Sequence, residues 1–251
     1  MKLEKSCLDL ILVPSGLAVM FAYHLHLLYR VLRHPASTVI GYENHNKMVW
    51  VERMLQGGSS NRGVAIDVIS SNVSASTYLA SLSITLSSLI GTWVGSSSSK
   101  VFMEAVIYGD KSPSTSSVKF ITLLGFFLVA FTSFVQSARY FLHANFLMTI
   151  PDSDVPVSYV QREVIRGGNF WCLGLRALYF ATPLLLWIFG PIPMFACSVS
   201  IVVALNFLDS NSIPLHNYPI LRQGDKRRQN GQRNSEPMLI QHISTQSSNV
   251  K

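Results

Sequence analysis

WCLGLRALYFATPLLLWIFGPIPMFACSVSIVVALNFL, the stretch Trp171–Leu208, decides the fold. Its 38 residues would make one helix about 57 Å long at ~1.5 Å per residue, nearly twice the ~30 Å hydrocarbon core of a bilayer. In its middle stands Gly190-Pro191-Ile192-Pro193. Two prolines two apart delete two backbone donors and crowd the preceding turn, which breaks a helix. A break at Gly190, Pro191 and Pro193 leaves 171–189 and 192–208, each just long enough to cross. Pro183, alone in its segment, kinks the first of these helices rather than ending it. Arg176 then lies five residues inside that helix, where its long stem can snorkel to the headgroups.

Outward from this stretch, three more segments have the same character. No Asp, Glu, Lys or Arg occurs in the 20 residues between Asp9 and Arg30, the 32 between Asp67 and Lys100, or the 19 between Lys119 and Arg139. Charged residues are 13% of the chain and apolar ones 49%, and the charges are gathered in blocks. A soluble helical bundle needs polar faces at period 3.6, and a run such as Ile121-Thr122-Leu123-Leu124-Gly125-Phe126-Phe127-Leu128 has none. The first segment is longer than the ~7–15 residue core of a signal peptide, and Arg30 and Arg33 follow it directly, so it reads as a retained helix. The three cysteines, Cys7, Cys172 and Cys197, lie in or beside apolar segments without metal-like spacing and read as small buried hydrophobes.

The expected fold is therefore all-α: a multi-pass transmembrane bundle of five crossings, at about 8–29, 71–95, 118–138, 171–189 and 192–208, the last two forming a hairpin. Four crossings with a long kinked last helix is the alternative. Between the first two crossings lies a 41-residue loop, Arg30 to Ser70, with a short helical pattern near Met48–Leu55 broken by Gly57-Gly58. The third helical pattern extends toward Ile150, where Pro151 stops it. A short helix is expected near Val157–Arg166, ended by Gly167-Gly168. Residues 1–209 form the membrane domain, and 210–251, rich in Asn, Gln, Ser and Arg, a disordered basic tail.

Charge placement tests the number of crossings. With four, Lys and Arg divide 11 against 9 between the two sides; with five, they divide 15 against 5. Basic residues collect on the cytoplasmic side. Five crossings therefore put the N-terminus outside or in a lumen and the tail in the cytoplasm, of a plasma membrane or an endomembrane. Arg30 and Arg33, with Arg222, Lys226, Arg227 and Arg228 in the tail, hold this topology, and the tail cluster attracts anionic lipid. The net charge of +7 needs no nucleic acid to explain it.

Candidate chemistry is sparse. Ionisable residues inside a membrane are the first sign of transport or catalysis. Here they reduce to His24 and His26 late in the first helix, Lys119 at a helix mouth, and Arg176. Positions i and i+2 point about 200° apart at ~3.6 residues per turn, so His24 and His26 cannot share a ligand; both read as interfacial, beside Tyr23 and Tyr29. No spacing calls for a metal or an organic cofactor, and no nucleophile or phosphate-binding motif occurs. Ser83, Ser87, Gly91 and Gly95 recur every four residues on the second helix, as close helix packing in lipid requires. They serve this bundle first, with association to a second copy or a narrow hydroxyl-lined path as the other uses. The expected role is a non-enzymatic bundle acting as scaffold or partner-binding component. A small-solute or ion transporter or channel is the alternative, and a membrane-embedded enzyme comes third.

Three runs resemble the Domain of Unknown Function 599 family of plant and bacterial membrane proteins. They are Gln136-Ser137-Ala138-Arg139-Tyr140-Phe141, then Arg166-Gly167-Gly168-Asn169-Phe170-Trp171 continued by Gly174-Leu175-Arg176-Ala177-Leu178-Tyr179-Phe180, and Leu186-Trp187-Ile188-Phe189-Gly190-Pro191-Ile192-Pro193-Met194-Phe195. The likeness spans roughly residues 8–210 and is nearest the plant branch, although the second helix here is unusually rich in serine. The resemblance implies a multi-pass membrane protein and assigns no activity, so no catalytic residue carries over.

Overall fold

Lipid offers no hydrogen-bond partner to a peptide group, so an apolar stretch that enters it satisfies its backbone as a helix. The computed structural model describes the backbone of residues 2–95, 113–150 and 156–212, and the side chains of 9–92, 114–150 and 156–212. Among the described residues there are six α-helices: α1 (Lys2–Arg33), α2 (Val39–Gln56), α3 (Gly58–Gly95), α4 (Pro113–Thr149), α5 (Val157–Leu186) and α6 (Pro191–Leu208). All but α2 are long and apolar enough to cross a bilayer. The fold is the expected all-α bundle with five candidate crossings. The expected tail lies outside the described residues from 213 onward, and so does the loop 96–112.

The hairpin in the last apolar stretch is built by glycine more than by proline. Helix α5 runs through the buried Pro183 and ends at Leu186. The Leu186 carbonyl accepts from the amides of Phe189 (3.0 Å) and Gly190 (3.3 Å), which closes the turn. Gly190 has φ 152° and ψ 171°, a region essentially reserved for glycine. Pro191 then opens α6 at the first helical position, where its missing N–H costs nothing.

The helices are longer than their apolar segments. With 38, 37 and 30 residues, α3, α4 and α5 measure about 57, 55 and 45 Å at ~1.5 Å per residue and overshoot a ~30 Å core. Their surplus gathers at one end and, with α2, makes a four-helix extension. Its core is Val51 of α2, Ala65 and Ile69 of α3, Phe141, Ala144 and Met148 of α4, and Val160 and Val164 of α5. The expected 41-residue loop is therefore mostly helix, interrupted at Gly57 between α2 and α3. Gly167 and Gly168, expected to end a short helix, instead lie inside α5. They admit neighbours: a Cβ at Gly167 would stand 3.0 Å from the Phe141 ring, and one at Gly168 2.7 Å from Lys47 Nζ.

Helix α4 packs along both α3 and α5, while α1 pairs with α6. The closest approaches use small residues, as lipid-embedded packing requires. A Cβ at Gly174 of α5 would stand 2.7 Å from the Phe134 ring of α4. Ser137 Oγ of α4 donates to the Gly167 carbonyl of α5 (2.8 Å), which leaves the 3.1 Å contact from Ser76 Oγ of α3 to be donated by Ser76. This chain of two hydroxyls ties three helices together with both hydroxyls fully buried.

Candidate functional site

The buried face of α3 follows Ser76, Ala80, Ser83 and Ser87. These steps alternate four and three residues and keep a seam straight. A pure four-residue repeat drifts about 40° per step at ~100° per residue. Ser83 and Ser87 are accordingly buried, while Gly91 is exposed and a Cβ there would meet nothing within 4 Å. Gly95 ends α3 beyond the described side chains. The four residues expected to line one packing stripe thus divide: two face the bundle, and Gly91 faces away from it.

The side chains with chemistry meet elsewhere, between α1, α5 and α6. Tyr23 of α1 donates to Asp209 Oδ2 at 2.6 Å, and Arg176 of α5 donates through Nη2 to Asp209 Oδ1. Arg176 therefore does not snorkel to headgroups as expected. The hairpin returns the chain so that Asp209, just after α6, neutralises it, which is how a charge is tolerated at membrane depth. Around this knot the end of α6 is clasped to the Pro35–Ser37 turn. The Asp209 carbonyl accepts from Val39 N (3.1 Å), and Arg30 Nη2 reaches the Ser37 carbonyl (2.8 Å). Arg33 is exposed at the end of α1, and the basic cluster Arg222, Lys226, Arg227 and Arg228 lies outside the described residues.

Beside the knot, a cavity of about 520 Å³ lies between α1, α2, α4 and α5. Side chains one turn apart share a helix face. On α1 this face is Phe21, His24, Leu25, Leu28 and Val31; on α5 it is Asn169, Cys172, Leu173, Arg176, Ala177 and Phe180. Phe126 and Val129 of α4, and Ile40 and Asn44 of α2, complete the wall. Phe180 closes the inner end, with ring centroids 4.9 Å from Phe21, 5.1 Å from Phe126 and 4.7 Å from His24. The rim is open: Phe21, Leu25, Leu28, Val129 and Leu173 are each about half exposed or more, and in a membrane such a rim meets lipid chains.

This wall is apolar except where it carries unsatisfied polar atoms. His24 Nε2, Asn44 Oδ1 and Arg176 Nη1 are buried, have no hydrogen-bond partner, and belong to residues that line the cavity. Buried polar atoms are ordinarily paired, because desolvating one without a partner costs about 1–3 kcal/mol. Among the described residues three further buried atoms are in the same condition, Arg62 Nε, Ser87 Oγ and Asn145 Oδ1, on α3 and α4. Two other cavities differ: one of about 460 Å³ within the four-helix extension has its Lys47 already paired with Glu43 at 3.1 Å, and one of about 670 Å³ is a shallow, open space along α4 alone, lined by Arg139, His143 and Asn145 among others.

Of the residues singled out in the sequence, His24 and Arg176 come together here, while His26 is exposed on the outer face of α1. Tyr23, Asn44, Asn169 and Asp209 carried no sequence motif. The usable signal for Asp209 was its place just after the last apolar run, on a helix that returns past Arg176. No group of three or more His, Cys, Asp or Glu residues suited to a metal ion occurs among the described residues.

An all-α bundle with five helices long and apolar enough to cross a bilayer, with Arg176 neutralised by a helix-end carboxylate, is an integral multi-pass membrane protein. Its family follows from comparison with known families. The chain belongs to the one described as "Protein of unknown function, DUF599", whose family model matches residues 11–213 and so covers the whole cavity and the Tyr23–Arg176–Asp209 knot. No curated protein and no solved structure matches it.

Proposed function

We propose that the protein binds a small amphipathic molecule, taken laterally from the bilayer into the cavity between α1, α4 and α5. The observation that carries this reading is one apolar cavity of about 520 Å³ that opens sideways through a rim of half-exposed apolar side chains. A pure scaffold needs a closed bundle with its polar groups satisfied, and this flank is neither. Conduction of a solute needs a path through the bundle, whereas the buried Phe180 ring, stacked on Phe126, closes the inner end. Binding is the simpler use of such a space. The experiment is native mass spectrometry of the full chain released gently from lipid nanodiscs. The wild type retains about one lipid-sized adduct, and Val129→Trp, which fills the rim, sheds it while keeping its helicity. Equal retention by both proteins contradicts the proposal.

The orientation belongs to the same reading: N-terminus outside or lumenal, four-helix extension and basic tail cytoplasmic, the tail attracting anionic lipid. It rests on the 15 to 5 division of Lys and Arg. In a background without Cys7, Cys172 and Cys197, a cysteine at Ile192 should react with an impermeant thiol reagent from outside. One at Ser235 should react only after permeabilisation, and a tag beside Lys2 should report the side opposite to Ser235. Labelling of Lys2 and Ser235 from one side would mean an even number of crossings and overturn the orientation.

A further inference from the structure

We infer a second binding site, in the cavity of about 460 Å³ where the four-helix extension meets the crossings, for a zwitterionic head group that joins a phosphate to an ammonium. Its depth in the membrane follows from the charges around it. Asp67 of α3, Arg139 of α4 and Arg166 of α5 stand at the edges of the apolar runs. The cavity is walled by Val68 and Asn72 of α3, Phe141 of α4, and Gly168 and Trp171 of α5, each within five residues of one of those charges. Such a boundary lies at the level of the lipid head groups, where the lining tryptophans Trp50 and Trp171 are also at home. This cavity shares no lining residue with the lateral one between α1 and α5.

Glu43 and Lys47 select the ligand. One turn apart on α2, they line the cavity in contact at 3.1 Å, and their side chains remain 50% and 29% exposed, so an occupant reaches both. Lys47 is not a loose surface lysine. Its Nζ lies against α5 where Gly168 leaves the backbone bare, 2.7 Å from the position a Cβ would take. Of its three N–H donors, Glu43 takes one. The pair is neutral as a whole, so a lone anion drawn to Lys47 is opposed by Glu43, and a lone cation drawn to Glu43 is opposed by Lys47. An uncharged head group engages neither. A phosphate–ammonium zwitterion lays its dipole antiparallel to the pair, phosphate on Lys47 and ammonium on Glu43, and satisfies both. The indole faces of Trp50 and Trp171 add a second attraction for the ammonium. At this depth the natural source is a bilayer phospholipid, its chains leaving past the exposed Val68.

The test titrates the delipidated full chain in nonionic detergent with dioleoyl phosphatidylcholine, dioleoyl phosphatidylglycerol and dioleoylglycerol, which share both chains, and reads adducts by native mass spectrometry. Phosphatidylcholine is expected to bind about fivefold tighter than either of the others, the size of two partly exposed charge contacts. Glu43→Gln leaves Lys47 as an unopposed cation and is expected to erase or invert the preference over phosphatidylglycerol. Lys47→Gln is expected to cut the advantage over dioleoylglycerol to about twofold or less. Both positions are partly exposed, so the variants are expected to keep wild-type helicity. Neither residue lines the α1–α5 cavity, so the preference should survive Val129→Trp whether or not lateral binding is lost there. Free phosphocholine, added as competitor, separates the sources. Displacement only at tenfold or more excess supports a lipid head group, and displacement at equal concentration supports the same zwitterion site filled from solution. Equal affinity for the three lipids, or a preference for phosphatidylcholine that is unchanged in Glu43→Gln, overturns the inference and leaves lateral binding untouched.

Discussion

The two flanks of α5 solve the same problem in opposite ways. Toward α4 it presents Gly167 and Gly174. Backbones come close, the Phe134 ring seats on Gly174, and the Ser76–Ser137–Gly167 hydroxyl chain leaves no donor unused. Toward α1 it presents Asn169, Leu173, Arg176 and Phe180, facing Phe21, His24 and Leu28. Large side chains hold the helices apart, and the space between them keeps three polar atoms without partners. In lipid, small residues close an interface and long ones leave it open. One helix thus carries a structural face and a face suited to binding.

The largest effect is expected at the knot that fixes the open flank. Asp209→Asn leaves the Arg176 charge buried without a counter-charge and should destabilise the bundle by about 3 kcal/mol, read by equilibrium unfolding in mixed micelles. Arg176→Met added to Asp209→Asn should recover most of that loss, since removing both charges is far cheaper than orphaning one. No recovery would mean that the pair matters for something other than charge. On the closed flank, Gly174→Val pushes a branched side chain into the Phe134 ring and should cost about 2 kcal/mol. Ser137→Ala removes the bridge from α3 to the Gly167 carbonyl and should cost about 1 kcal/mol. Gly91→Leu faces open space and should change stability by less than about 0.5 kcal/mol. A larger loss at Gly91 would place a partner, such as a second copy, on that face.

Much of this architecture is legible in the sequence, and the misses have physical causes. Uncharged runs of sufficient length locate the five crossings, and Gly190-Pro191 locates the hairpin, because both reflect backbone requirements that act locally. The start of α3 at Gly58 is hidden because 58–70 is polar. Its apolar residues, Val64, Ala65, Ile66, Val68 and Ile69, are crowded behind Gly63 and split by Asp67, and only Ala65 and Ile69 are buried once α2, α4 and α5 cover them. Gly167-Gly168 looks like a break because glycine is a poor helix former; what keeps it helical is the close approach of Phe141 and Lys47. Gly91 falls off the packing seam because four residues overshoot one turn. The Arg176–Asp209 pair is legible from the hairpin, since the two residues stand 14 and 19 positions from Gly190, a difference of about 7 Å along the helices at ~1.5 Å per residue that the long arginine side chain spans. The cavity is not, because a void has no residues of its own and exists only as the misfit between α1 and α5, with α2 and α4 at its sides.

Cys172 lines the cavity and Cys197 sits on α6 away from it, so the chain carries its own probe and control. In Cys7→Ser protein in nanodiscs, the alkylation rates of both thiols by a membrane-permeant maleimide are followed by mass spectrometry of the peptides, with and without 1-monooleoylglycerol. Occupancy of the cavity predicts that Cys172 slows severalfold while Cys197 is unchanged, and that Val129→Trp slows Cys172 without any added lipid. Equal rates at Cys172 with and without the amphiphile, or equal slowing of both cysteines, would contradict it.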